Sequence, residues 1–187
     1  MTFRPLVLAS LFVALPAAAP ASADLVGSFE VGSGSFASQL QFDFANGDSW
    51  LYLVHWEGTT TGRDLFDRVQ AAQPGFFDFA TAQFPFGEAL FSVSIGSDSD
   101  AGFGTPPKYL DYWHYYNRAS SAEAWDYASS GFADRVVTDG SWDGWVFGSN
   151  DFPAAVPAPG GILLGLLALG GVRRRHSSLS RSLARTE

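Results

Sequence analysis

The 187-residue chain contains no cysteine. This absence excludes disulfide bonds, a thiol nucleophile and a cysteine-ligated metal site. A folded domain must therefore be stabilised by packing, and the chain has 17 Phe, 6 Trp and 6 Tyr residues to supply apolar area for a core. We expect most of the chain to be folded, since disordered chains are poor in aromatic residues.

Positive charge is scarce in the central part of the chain. Between Asp24 and Pro157 there are 5 Lys and Arg residues against 18 Asp and Glu residues, a formal charge of −13. The few cations are isolated and form no basic patch, which excludes nucleic acid as a partner. This central stretch has the length of one domain, and we assign residues 24–150 to it.

Recognisable catalytic motifs are missing as well. The chain has no Gly-x-Ser-x-Gly elbow, no phosphate-binding glycine loop and no internal repeat. His55 and His114 could be general bases or metal ligands, but no second ligand follows at a recognisable spacing. Asp98 and Asp100 resemble the start of a calcium loop, although the glutamate that completes such a loop is absent, so a solvated acidic turn is the alternative. We predict no catalytic residue, no metal site and no cofactor.

The N-terminal end has the layout of a secretory signal peptide. Arg4 is the positive residue, residues 6–19 are apolar, and Ala21 and Ala23 form a small-residue cleavage site. We therefore predict that signal peptidase removes residues 1–23 and that the protein is exported.

The other apolar run is too short for an ordinary membrane span. The 13 residues of 160–172 would form a helix of about 20 Å, against a hydrocarbon core of about 30 Å. Arg173, Arg174 and Arg175 follow directly, and the positive-inside rule places residues 173–187 in the cytoplasm. Before processing, the protein is expected to contact the inner membrane through this helix.

A proline motif precedes this helix, within a Pro/Ala linker predicted over residues 151–159. The motif is Val156, Pro157, Ala158 and Pro159. Together with the short helix and the arginine cluster, it resembles the PEP-CTERM sorting signal of Gram-negative bacteria, with Ala158 in place of the usual acidic residue. The resemblance implies cleavage near the prolines by an exosortase and transfer to the outer surface or extracellular matrix of bacteria that make exopolysaccharide. An unprocessed membrane anchor is the alternative.

The central domain is predicted to be α+β, mainly antiparallel sheet with one packed helix. Thr60 or Thr61 can cap this helix, apolar residues at helical spacing, including Ala72, face the core, and Pro74 with Gly75 ends it. Residues 97–105 are predicted to be a loop. Strands are predicted over 25–31, 36–44, 49–57, 88–96, 108–118, 123–130, 134–141 and 142–148.

The order of these elements is similar to the β-grasp-like domain at the C-terminus of transcobalamin and in related bacterial surface proteins. The resemblance covers about residues 36–148 and implies a module that binds a small ligand, with cobalamin as the best-known example. The motif specifies no cobalt ligand. The matching pairs are Tyr112 with Trp113, Ser130 with Gly131, and Gly144 with Trp145.

Aromatic side chains are the candidate ligand-binding groups. Neighbouring residues of a strand point to opposite faces, so some of these rings should be exposed, although a core role is the alternative for each ring. We predict a non-enzymatic surface protein that binds or scaffolds exopolysaccharide in a biofilm matrix. The alternatives are a carrier of a cobalamin-like ligand and a polysaccharide hydrolase. The candidate residues are Tyr112, Trp113, Tyr115, Trp125 and Trp145.

Overall fold

The structure is a computed structural model that describes residues 24–156. Within this range, no helix is both long and apolar enough to cross a membrane. The predicted signal peptide, the hydrophobic helix over 160–172 and most of the predicted sorting signal lie outside the described residues. The predicted processing and topology residues that also lie outside are Ala21, Ala23, Pro157, Ala158, Pro159, Arg173, Arg174 and Arg175.

The described residues form nine strands and one helix, which confirms the α+β class. Five of the seven strand pairs are antiparallel. In chain order the elements are β1 (Asp24–Gly32), β2 (Phe36–Asp43), β3 (Asp48–Trp56), α1 (Gly62–Ala72), β4 (Phe77–Phe84), β5 (Gly87–Ile95), β6 (Asp98–Ala101), β7 (Trp113–Arg118), β8 (Asp126–Tyr127) and β9 (Trp142–Phe147).

Six strands form one mixed sheet in the order β1-β3-β2-β9-β7-β8. β2 and β3 form an antiparallel hairpin, while β1 runs parallel to β3 and β9 runs parallel to β2. The last strand of the described residues therefore lies in the middle of the sheet, beside the first hairpin. This placement brings the C-terminal part of the domain against its N-terminal part.

Helix α1 begins and ends as the sequence predicts. Thr61 is the N-cap, because its hydroxyl accepts the Asp64 backbone N–H and the Asp64 carboxylate accepts the Thr61 N–H in a capping box. The helix ends at Ala72, just before Pro74. One detail was wrong: Ala72 is exposed, since it lies in the last turn beyond the apolar contact with the sheets. The buried helix residues are Gly62, Leu65, Phe66 and Val69.

A second sheet, in the order β4-β5-β6, contains the largest departures from the sequence prediction. β4 was not predicted, and the predicted loop over 97–105 contains β6 instead. β6 forms because it pairs with β5 and because Asp98 accepts a hydrogen bond from the Trp50 indole at 2.7 Å. Tertiary contacts, rather than intrinsic strand propensity, thus define this strand.

Two predicted strands of the C-terminal half are shorter than expected, and a third does not form. The strand predicted over 108–118 begins only at Trp113, and the one predicted over 123–130 is reduced to the two residues of β8. The strand predicted over 134–141 is wrong, since only Val136 pairs, in an isolated bridge with Thr61. The first two of these segments contribute residues to the walls of two cavities.

The core lies between the two sheets and the helix and is rich in aromatic rings. Phe42 from β2 meets Phe66 of α1 edge to face at 5.3 Å, and Phe77 of β4 packs against both. Trp113 and Trp145 extend this cluster along β7 and β9. Such aromatic pairs stabilise a fold beyond their buried area.

The opposite face of the six-stranded sheet is covered by residues 152–156, which we call the C-terminal strap. The strap lies within the predicted linker, yet its Ala154 is held on both sides. The Ala154 N–H donates to the Asp43 carboxylate at 2.7 Å, and the Gln41 amide donates to the Ala154 carbonyl at 2.8 Å. Asp43 also accepts the Ser49 hydroxyl at 2.5 Å. Because Gln41 and Asp43 are buried, the strap is part of the folded body.

Candidate ligand-binding cleft

A cavity of about 610 Å³ opens between the three-stranded sheet and strands β7 and β9. We call it the aromatic cleft, because rings form most of its walls. The loop from Ala128 to Phe132 closes one side. Its aromatic lining residues are Phe84, Phe86, Phe103, Tyr112, Trp113, Tyr115, Phe132 and Trp145.

One wall contains four of the five aromatic residues singled out from the sequence. Tyr115 stacks on Trp145 with ring centroids 4.2 Å apart and planes nearly parallel. Trp113 and Trp145 are only 4% and 3% exposed, so they also belong to the core, which was the alternative considered for each ring. Tyr112 is half-buried and stacks on His114. The rings of this wall are therefore packed against one another or against the core.

The facing wall was missed by the sequence analysis. Phe84 ends β4 and Phe86 lies in the tight turn that follows; their rings stack at 5.1 Å, and Phe103 meets Phe84 edge to face. Phe86 is 79% exposed and Phe103 is 45% exposed. The signal was present in the letters FPFG at 84–87, but without β4 nothing placed these rings opposite β7.

A buried ionic network lies behind the Tyr115 ring. The Tyr115 hydroxyl donates to Asp143 at 3.1 Å, and Arg135 pairs with the other Asp143 oxygen at 2.7 Å. Burial raises the pKa of Asp143 to about 6, although the Arg135 charge opposes this change. Burial also raises the pKa of Tyr115, so its hydroxyl remains a donor at neutral pH.

Polar groups at the cleft are few. Glu88 is the only acidic residue among those that line it, and its carboxylate pairs with Arg63. Ser129 and Ser130 contribute hydroxyls at one side. Among the described residues, the buried Trp145 indole N–H has no hydrogen-bond partner. A mainly apolar cleft with a few polar groups suits a ligand with flat, apolar faces.

Trp125, the fifth aromatic residue named from the sequence, lies elsewhere. It lines a second cavity of about 890 Å³, bordered by the strap and by the ends of β2 and β9. We call this the strap cavity. There the Arg118 guanidinium lies over the rings of Trp125 and Trp142, at 4.2 and 4.1 Å from their centroids.

The two candidate histidines have separate structural partners. His55 lies 2.7 Å from the Glu30 carboxylate at the surface. His114 is buried and its Nε2 donates to the Leu110 carbonyl at 3.3 Å, and burial lowers its pKa below the usual range. The structure does not bring these two side chains together with a third ligand.

Asp98 and Asp100, the candidate calcium ligands, accept hydrogen bonds from neighbouring parts of the fold. Asp98 accepts the Trp50 indole N–H and the Asn46 amide, and Asp100 accepts the Ala45 backbone N–H at 2.8 Å. Both residues belong to β6 rather than to a loop. Within residues 24–156, no three His, Asp or Glu side chains are grouped closely enough to hold a metal ion.

Comparison with protein-family models yields no match, and comparison with curated proteins yields none either.

Proposed function

We propose that this is an exported, tail-sorted surface protein of a Gram-negative bacterium whose body is a non-catalytic binding module for exopolysaccharide. Signal peptidase and an exosortase are its processing partners. The aromatic cleft is the binding site, and the observation that carries this proposal is the pair of facing aromatic walls with an exposed rim.

The rim of the cleft supports a binding role because it is apolar and accessible. Phe86 and Phe103 are exposed, and the 38% exposed Phe91 packs on Phe103 at 4.9 Å. Grouped, exposed apolar rings are costly in a soluble protein unless they contact a ligand or partner. Aromatic faces offer the flat apolar surface against which the apolar faces of sugar rings pack.

The strap supports the proposed sorting. It includes Val156, the first residue of the proposed sorting motif, which is half-buried beside the strap cavity. Because Ala154 is hydrogen-bonded to the body, cleavage beyond Val156 would leave the fold intact. The body would then reach the cell surface with its core and both cavities unchanged.

A cobalamin-like or other small planar ligand is the second candidate. The hairpin β2–β3, the following helix α1 and the parallel pairing of β2 with β9 support a β-grasp-like arrangement, in agreement with the transcobalamin resemblance. The volume of the aromatic cleft also lies in the range of small-molecule sites.

We do not propose polysaccharide hydrolysis. Hydrolysis by the usual route needs two carboxylates that flank the scissile bond. Glu88, the only acidic residue that lines the cleft, is paired with Arg63.

The test is equilibrium binding of the surface-purified protein to the exopolysaccharide of its own bacterium and, in parallel, to cobalamin. We expect Phe86→Ala to weaken polymer binding about tenfold, the loss of roughly 1.4 kcal/mol expected for one stacking ring. Phe36→Ala is the matched control, because Phe36 is also partly exposed but packs on Trp56 away from the cleft. Equal binding by both variants would contradict the proposal, and a spectral shift with cobalamin alone would favour the second candidate.

A further inference from the structure

Arg118 is a cation without an acidic partner in the described part of the chain. Arg63 and Arg135 each pair with a carboxylate within 4.0 Å, whereas no such pair forms at Arg118 among residues 24–156. Arg118 is half-buried at the wall of the strap cavity, with its guanidinium packed on two indole rings. Its position is thus fixed by stacking rather than by an ion pair.

The hydrogen bonds of this guanidinium are incomplete. Its Nη1 donates only to the carbonyls of Ser121 and Glu123, both at a long 3.5 Å, and its buried Nε has no partner among the described residues. Burial lowers the pKa of Arg118, which reflects the cost of desolvating the charge. Within the described part of the chain, the two terminal nitrogens make no hydrogen bond shorter than 3.5 Å, so they remain free to bind a carboxylate through two parallel hydrogen bonds.

The acidic residues that line the same cavity are otherwise engaged or solvated. Asp43 accepts donors from the strap, from Gln41 and from Ser49, and Asp151 accepts the Ser149 hydroxyl. Glu123 is exposed to solvent and contacts Arg118 through its carbonyl only. These carboxylates therefore leave the Arg118 donors available to a ligand.

We infer that the strap cavity is a second binding site, specific for the carboxylate of an acidic sugar such as a uronic acid unit. The carboxylate binds Arg118, and the sugar ring packs beside the half-buried Trp125. This inference rests on the proposed binding of exopolysaccharide and adds that the polymer is acidic. It places charge recognition in the strap cavity, separate from the apolar contacts of the aromatic cleft.

The experiment is calorimetric titration of the surface-purified protein with a uronate trisaccharide and with its methyl ester, which has the same rings but no charge. We expect the acid to bind at least about tenfold more tightly than the ester, as a charge-assisted hydrogen-bonded pair requires. Arg118→Gln should abolish this difference. Lys108→Gln, which removes one charge from an exposed residue, should leave it unchanged.

Arg118→Lys keeps the positive charge, and it keeps the inference testable if Arg118→Gln fails to fold. It should fold, as near-ultraviolet circular dichroism of the tryptophans can verify, and it should lose most of the preference because lysine lacks the planar fork. Equal affinity for acid and ester, or a preference that survives both Arg118 variants, would overturn the inference. The aromatic-cleft proposal is judged separately, since Phe86→Ala should weaken binding of the polymer but leave the preference for the acid over the ester unchanged.

Discussion

At the scale of single residues, the most consequential group is the buried carboxylate of Asp143. It lies beneath the Tyr115–Trp145 stack that forms one wall of the aromatic cleft, and among residues 24–156 it forms an ion pair with Arg135 alone. Its position on β9 was not predicted as functional, because the sequence gives no sign that Arg135 and Tyr115 meet there. The network fixes the Tyr115 ring, so its protonation state affects the cleft as well as the fold.

The raised pKa of Asp143 predicts how the stability of the fold depends on pH. Its folded pKa of about 6 lies above the unfolded value of about 4, so the folded state binds the proton more tightly. The contribution of Asp143 to the free energy of unfolding is therefore largest below pH 4 and decreases as the pH rises towards 6. Urea unfolding of wild type and Asp143→Asn across this range should show the wild-type advantage shrinking with pH. An advantage that grows with pH would contradict the assignment.

At the scale of elements, the packing of the strap against the sheet was not predicted from the sequence. Pro153 lies against Gly144 of β9, where a Cβ would come within 2.4 Å of the Pro153 ring and 2.9 Å of the Trp125 ring. Glycine at this position thus lets the strap and Trp125 approach the sheet together. The β-grasp resemblance drew attention to Gly144 without giving this physical reason.

Gly144→Ala tests the packing of the strap. The added methyl group forces Pro153 or Trp125 away from the sheet, and we expect a loss of about 1–3 kcal/mol in the free energy of unfolding, as for other overpacked sites. Gly131→Ala is the matched control, since the nearest atom to its Cβ lies at 3.9 Å and its loop is open. Urea denaturation of both variants measures the difference. Two variants of equal stability would show that the strap does not pack tightly on β9.

Strands with clear alternation and helices with clear caps could be predicted from the sequence. The hairpin β2–β3, helix α1, β5 and β9 lie close to their predicted positions because local pattern and tertiary contacts agree. β6 could not be predicted, since the letters DSDA favour a turn and only Trp50 and β5 make them a strand. Half of the aromatic cleft was missed for a related reason: the pairing of β4 with β5 places Phe86 at the cleft, and an isolated bridge with Tyr112 places Phe103 there.

At the scale of the whole molecule, one acidic body carries two unlike cavities. The aromatic cleft is apolar, and the strap cavity contains a stacked arginine beside the segment that leads to the predicted sorting motif. The body from residue 24 onward has its own core, formed by both sheets and the helix. Removal of residues 1–23 and of the chain beyond the strap would therefore leave the described fold whole.

The most direct test of the proposed export and sorting is intact mass spectrometry of the protein recovered from the native cell surface and medium. We predict a species that begins at Asp24 and ends just beyond Val156, near Pro157 or Pro159, with any added mass at that end identifying an attachment. A surface species that still carries Arg173 to Glu187 would contradict it and would identify an unprocessed membrane anchor instead.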